Sequence, residues 1–261
     1  FDLATELNAF RNETAANRIG RLCDQNNVSI AYVDNHGIVS ELMGPQRPLT
    51  LFQLLKECAD TDRGTLYDSK GELGLTYRER SAIYSQADRL TVDYSTGQIG
   101  EPFKPVRDDQ ATRNDVTVTR TRGSYARAQL LEGPLSVQEP SEGGVGRYDT
   151  SLTVNAYLDA QLDHIAGFEL RKGTVAKTRY PSVTLNMHNP NVVADSDLSV
   201  NALDLAVDDR FSIINPKTGQ TADDISLIAR GWSRYLSNFI DTITINAAPA
   251  EPYDVLRLDG D

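Results

Sequence analysis

The chain has 261 residues, enough for one large or two modest domains that bury a core without disulfide bonds. Its 37 acidic and 26 basic residues give a net charge of −11, which argues against general binding to nucleic acid or anionic lipid, because such partners require clustered Lys and Arg. With 39 % hydrophobic residues and a mean hydropathy of −0.41, the composition is globular, and neither a membrane span nor a secretory leader is predicted.

A helix and a strand are predicted at the start of the chain. Thr14 is a typical N-cap, and apolar residues recur after it at helical spacing until the pair Asn26–Asn27. Residues 28–32 then alternate apolar and small polar side chains ahead of a glycine-containing turn at 34–37. Period-2 alternation before such a turn predicts a strand that enters a hairpin or tight loop.

A second helix and a hairpin follow. Thr50 and Gln53 have the capping-box spacing, in which each side chain bonds to the other residue's free backbone N–H. Gly64 stands where a left-handed residue would end the helix. Apolar runs on both sides of the turn at 68–71 predict a β-hairpin. Residues 1 to about 95 are therefore predicted as helix, hairpin, helix, hairpin.

The second half of the sequence is richer in strand patterns. Residues 96–113 are rich in Gly, Pro and charged residues and are typical of a connection between domains. One helix is predicted at about 152–170, from apolar residues at helical spacing. Short alternating segments predict strands at 116–120, 182–187, 211–214, 225–230 and 242–246.

These elements predict an α+β fold with two domains. Residues 1–100 would form a mixed helix and hairpin domain with two helices. Residues 101–261 would form a β-rich, barrel- or sandwich-like domain that carries one helix at about 152–170. No sequence repeat of 20 to 50 residues is present.

The sequence has no spacing typical of a catalytic or metal site. His36, His164 and His188 each lack a second ligand at a metal-site interval. The sequence contains neither a nucleophile elbow nor a phosphate-binding loop. Cys23 and Cys58 fall at apolar positions of the two predicted helices, so we expect core residues. We therefore predict no enzyme, no cofactor, and no catalytic, cofactor-binding or metal-binding residue.

Two aromatic residues leave alternatives open. Trp232 and Tyr235 stand between two predicted strands. They would form either a platform that stacks against a sugar, or an aromatic patch that packs in a core or a subunit contact.

Several segments occur in a succession that resembles a known group of proteins. Met-Gly-Pro-Gln at 43–46 leads into the helix with Leu-Leu-Lys-Glu at 54–57, then Gly-Thr-Leu-Tyr-Asp at 64–68 and Asn-Asp-Val-Thr-Val-Thr-Arg at 114–120. This succession resembles the minor tail proteins and tail-tip hub proteins of long-tailed, siphovirus-type bacteriophages, particularly those that infect actinobacteria.

The resemblance implies a structural virion protein at the tail tip. Such a minor tail protein or baseplate hub would form a symmetric ring that caps or extends the tail tube, with a trimer favoured over a hexamer. Its partners would be other copies of itself and the tail tube, distal tail and tape-measure proteins, and it would carry no membrane anchor. Genome DNA would pass the lumen without specific binding, because a negatively charged wall repels phosphates.

Ring closure also requires contacts between subunits, since exposed sheet edges otherwise aggregate. The Val-Thr-Val-Thr strand and the Thr-Ile-Thr-Ile strand are the candidates for these contacts, together with the aromatic residues between strands. The candidate interface residues are Val116, Val118, Arg120, Trp232, Tyr235, Ile243 and Ile245. Two other functions stay open. One is a receptor- or carbohydrate-binding tail module, which would need exposed aromatic residues around Trp232, Tyr235 or Tyr253. The other is a cell-wall hydrolase.

Overall fold

The fold is α+β, as predicted. A computed structural model of the chain describes residues 9–33, 39–106, 111–216 and 223–255. Within these ranges, six α-helices and twelve strands form three sheets, each of which contains both parallel and antiparallel pairs. The turn predicted at 34–37, with His36, lies outside the described residues.

The chain forms two compact units, and each unit combines two separate stretches of sequence. This division differs from the expected one, in which a single boundary falls at residue 100. One compact unit contains residues 1–82 and 110–176, and the other contains 83–109 and 177–261. The reason is long-range pairing. Strands β4 (Leu90–Asp93) and β5 (Ile99–Gly100) belong to the sheet of the C-terminal strands.

The two helices of the first unit begin where the sequence predicts. Helix α1 spans Ala15–Gln25, and the Thr14 side chain accepts a hydrogen bond from the Asn17 backbone N–H at 3.1 Å. Helix α2 spans Leu51–Asp62 and has the complete capping box of Thr50 and Gln53. These caps satisfy backbone N–H groups that have no partner within the helix.

The end of α2 differs from the prediction. Arg63, and not Gly64, has the left-handed conformation, with φ of 61°. Gly64 is required for another reason. A Cβ atom at this position would lie 2.6 Å from the carbonyl oxygen of Arg78, so only glycine permits so close an approach of the two backbones.

The first sheet contains the predicted hairpin of β2 (Thr65–Asp68) and β3 (Leu75–Arg78). Strand β1 (Ile30–Val33) pairs with β3 in parallel, so of the two predicted outcomes, a hairpin or a tight loop, the hairpin is not formed among the described strands. A parallel pair needs a long crossover, and α2 lies in the intervening chain. The buried core of this region contains Cys23 and Cys58, both as free thiols. The short helix α3 (Arg80–Ile83) follows β3.

A second three-stranded sheet completes the first unit. Its central strand β6 (Asp115–Arg120) pairs antiparallel with β7 (Tyr125–Gln129) and parallel with β8 (Asp149–Val154). Helix α4 (Gln161–Gly173) packs against this sheet. Residues 152–154 complete β8, so the helix begins nine residues later than predicted at about 152, because these residues pair with β6 instead.

The N-terminal end of β6 is held by a buried carboxylate. Asp115 accepts hydrogen bonds from Arg127 of β7 at 2.6 and 2.7 Å and pairs with Arg147, which precedes β8. The hydrogen bonds and charge of Arg127, together with Arg147, outweigh burial and lower the pKa of Asp115 below its ordinary value. This carboxylate therefore connects three segments of the chain.

The second unit is built on a six-stranded sheet in the order β4-β10-β11-β12-β9-β5. Two helices that the sequence patterns did not predict, α5 (Pro190–Val193) and α6 (Ser196–Asp204), follow β9. Among the described helices of both units, none combines the length and the apolar character needed to cross a bilayer. The four remaining strands are β9 (Ser182–Asn186), β10 (Arg210–Ile214), β11 (Ile225–Ser237) and β12 (Ile240–Pro249).

Candidate subunit interface

The two longest strands extend past their neighbour as a hairpin. β10 pairs with β11 only along residues 225–228. β12 pairs with β11 as far as Ser237 and Ile240, which face each other across the two-residue turn Asn238–Phe239. We call residues 231–240 the arm. Sequence analysis missed this feature, since it ended the strand at Arg230.

The arm begins at a β-bulge that is anchored to the unit's interior. The register between β11 and β12 shifts between Ala229 and Gly231, and Gly231 has φ of +155°. The intervening Arg230 donates hydrogen bonds to the carboxylate of Asp208 and to the hydroxyl of Tyr253. Burial acts to lower the pKa of Arg230, but Tyr253 and Asp208 outweigh it and raise that pKa. The bulge is thus fixed by charge as well as by backbone geometry.

The arm's charge is neutralised within the hairpin. Arg234 donates two hydrogen bonds to Asp241, at 2.8 and 2.6 Å. The hydrogen bonds of Arg234 lower the pKa of Asp241, and the same contacts raise the pKa of Arg234. These two are the charged residues between 231 and 249, so the hairpin beyond the bulge has no net charge.

Large apolar side chains are exposed along the arm. Phe239 at the tip is 89 % exposed, and Leu236 is 65 % exposed. Trp232 and Ile240 are each almost half exposed. Such a concentration of exposed apolar side chains within nine residues is typical of an interaction surface.

The two aromatic residues of the arm do not form one platform. Side chains alternate between the faces of a strand, so Trp232 and Tyr235, three residues apart, lie on opposite faces of β11. Tyr253, the third aromatic residue considered for sugar stacking, is buried beside Arg230. The three therefore do not provide the exposed cluster that a sugar-stacking site needs.

The other candidate interface residues lie inside the protein or in ion pairs. Ile243 and Ile245 are in the core of the second unit, and Val116 and Val118 are in a core of the first. Arg120 pairs with Asp159. Strand β6 is paired along both edges, as is most of β12, so neither strand offers a free edge there. Among the seven candidate interface residues, Trp232 and Tyr235 of the arm are the two whose large hydrophobic side chains are exposed.

The described part of the chain contains no group of three or more His, Cys, Asp or Glu residues that could hold a metal ion. A cavity of about 390 Å³ lies between α2 and the region of β8. Its acidic residues are paired, Glu57 with Arg47 and Asp60 with Lys56. The cavity is lined by Arg47, Leu49, Gln53, Lys56, Glu57, Asp60, Thr61, Thr121, Thr153 and Asn155.

Comparison with solved structures defines the class of fold. The chain is similar to the 43 kDa tail protein of prophage MuSo2 from Shewanella oneidensis, with a TM-score of 0.56 and 12 % identity over 95 % of this chain and 67 % of that one. It is also similar to the tail protein from Neisseria meningitidis MC58, with a TM-score of 0.58 and 14 % identity over 93 % of this chain and 68 % of that one.

A third similar structure is a chain in the virion of a native gene transfer agent particle. The TM-score is 0.55 with 12 % identity, over 93 % of this chain and 49 % of that one. The sequence itself matches no protein-family profile and no curated protein. The chain therefore has a fold that phage tail proteins share, as the sequence resemblance predicted.

Proposed function

We propose that this protein is a structural component of a bacteriophage tail. Copies of the chain would form a symmetric ring at the tail tip, as a baseplate hub or minor tail protein that caps or extends the tail tube. A trimer is favoured over a hexamer, and the phage would be of the long-tailed, siphovirus type. The observation that carries the proposal is the fold shared with two tail proteins and a virion component over more than nine-tenths of the chain.

The arm supports the part of this proposal that concerns assembly. Its apolar side chains are exposed, its charges are paired internally and its root is anchored by Arg230. An exposed apolar surface of this type is typical of a site that binds a partner. The partners would be other copies of the chain and the tail tube, distal tail and tape-measure proteins.

A role without catalysis or bound cofactor completes the proposal. Genome DNA would pass through the ring without specific binding, because a chain with a net charge of −11 offers phosphates little attraction. The protein would therefore act through shape and self-association in the virion, and not as an enzyme.

Labelling of intact virions tests this function. Gold-conjugated antibodies against the chain are expected to bind at the distal end of the tail in electron micrographs of purified phage. Antibodies that were first saturated with the purified chain serve as the control and should leave the tail unlabelled. Labelling of the capsid, or a complete lack of the chain in purified virions, would contradict the proposal.

A further inference from the structure

The backbone of the arm has a free hydrogen-bonding edge. The carbonyl oxygen of Asp241 accepts a hydrogen bond from the Met187 N–H at 2.8 Å, so the backbone groups of Asp241 point toward β9 and away from β11. Leu236 faces Asp241 in the ladder. In antiparallel pairs, hydrogen-bonded and non-hydrogen-bonded residues alternate, so the N–H and C=O of Leu236, and of Arg234 two residues earlier, point away from β12.

That edge meets no strand within the described residues. β10 pairs with β11 only as far as Ile228. The last backbone hydrogen bonds along this edge of β11 join Ala229 to Asp208 and Asp209. Beyond the bulge, no strand among the described residues pairs with the edge of β11 that faces away from β12 at Arg234 and Leu236. An unpaired strand edge is a template for pairing with another strand.

We propose that the arm pairs by strand addition with a second copy of this chain. The backbone groups of Arg234 and Leu236 would bond to an outer sheet edge of the neighbouring copy. The opposite outer edge of the same sheet, at β5 (Ile99–Gly100), is also unpaired among the described strands. One subunit thus carries two different edges, which is what a closed ring of head-to-tail contacts requires. This inference rests on the proposed ring.

Charge favours another copy of the chain as the occupant. Each copy has a net charge of −11, so two copies repel each other unless their contact avoids like charges. The arm meets this condition because Arg234 and Asp241 neutralise each other, and β5 contains no charged residue. A differently charged partner would instead be expected to meet a charged patch.

The free edge also argues against a membrane as the occupant. The tip residues Leu236, Phe239 and Ile240 are apolar enough to enter lipid. The unpaired N–H and C=O groups of Arg234 and Leu236 would enter with them, and hydrocarbon offers such groups no hydrogen-bond partner. Pairing with a strand satisfies these groups and covers the apolar side chains at the same time.

Amide hydrogen exchange on the whole chain tests the inference. In the assembled protein, the amides of Arg234 and Leu236 should exchange about 100-fold more slowly than in protein diluted to monomer. The amides of Ser233 and Tyr235, which point toward β12, should be protected in both states. Leu236→Pro removes one edge N–H and should yield monomer, whereas the same substitution at the fully exposed Leu73 should leave assembly unchanged.

The outcomes separate this inference from the proposed function. If the wild-type chain assembles but the two edge amides exchange rapidly, or if Leu236→Pro assembles like wild type, strand addition is overturned and the ring stands. If the wild-type chain stays monomeric at every concentration, both fail. Co-flotation of wild-type protein with vesicles of phosphatidylcholine and phosphatidylglycerol, lost in Leu236→Pro, would also overturn the inference in favour of lipid.

Discussion

Arg230 donates a hydrogen bond to the fully buried carboxylate of Asp208 at the bulge where β11 leaves the core. The same guanidinium reaches the hydroxyl of Tyr253, in the turn that follows β12. Three segments distant in sequence therefore meet at the root of the arm. The contact fixes the point from which the exposed hairpin extends.

Removal of this anchor is expected to destabilise the fold. Arg230→Ala would leave the Asp208 carboxylate buried without its cation, which should lower the free energy of unfolding by about 3 kcal/mol. Arg89→Ala is the matched control, because Arg89 pairs with Asp204 at the surface and each side chain is more than half exposed. That variant should lose less than about 1 kcal/mol. Chemical denaturation of both variants measures the difference, and equal losses would contradict the anchoring role.

Asp115 should make stability depend on acidic pH. Its pKa in the folded protein is lowered by Arg127 and Arg147, relative to about 3.9 for an unfolded aspartate. A lowered pKa contributes stability that is fully present above about pH 4 and is lost as the pH falls through the folded-state pKa. Asp115→Asn should therefore cost about 2 kcal/mol at pH 7, and the gap from wild type should shrink below pH 4.

Denaturation curves at several pH values check this dependence. Asp68→Asn is the control, since Asp68 is an exposed residue of β2. Its stability should follow that of wild type at every pH. A constant gap between Asp115→Asn and wild type from pH 7 to pH 3 would show that the charge of Asp115 is not the cause.

The capping box of α2 gives a local prediction. Thr50→Ala removes both the hydroxyl that accepts from the Gln53 N–H and its bond to the Gln53 side chain. The loss in unfolding free energy should be about 1 kcal/mol, while Thr50→Ser should restore most of it because serine is an equally good N-cap. If the serine variant proves as unstable as the alanine variant, the methyl group and not the hydroxyl is responsible.

Two glycines should respond in opposite directions to alanine. Gly64→Ala places a Cβ 2.6 Å from the Arg78 carbonyl oxygen and should cost about 1 to 3 kcal/mol. Gly167 lies inside α4, and a Cβ there would meet nothing within 4 Å. Gly167→Ala should therefore stabilise the protein by about 1 kcal/mol through helix propensity. Thermal denaturation of the two variants would contradict this account if both lowered the Tm.

Local elements of the fold could be predicted because their causes lie within a few residues. The side chains of Thr14 and Thr50 cap their helices through bonds to residues three positions away. The hairpin of β2 and β3 follows from a turn between two apolar runs. The parallel pairs of β1 with β3 and of β6 with β8 join residues 30 or more positions apart. The alternation of apolar and polar residues predicts each strand, but it does not predict which strands pair.

The arm could be predicted only in part for the same reason. The sequence predicts Trp232 and Tyr235 as aromatic candidates for a contact, and both side chains are exposed, but nothing near them in the sequence shows where β10 stops pairing with β11. Val116 and Ile243 are predicted as interface residues but are buried. The alternating pattern around each of them predicts a strand, and in the structure both side chains lie in the core of their own unit. Exposure of a strand depends on its neighbours in space and not on its own pattern.

Measurement of the native mass over a range of protein concentrations tests the central claim most directly. Self-association into a ring predicts a single closed species of three subunits, or of six, that persists on dilution into the low micromolar range. Leu73→Pro should give the same mass. A monomer at every concentration, or an open series of masses without a preferred size, would contradict the account.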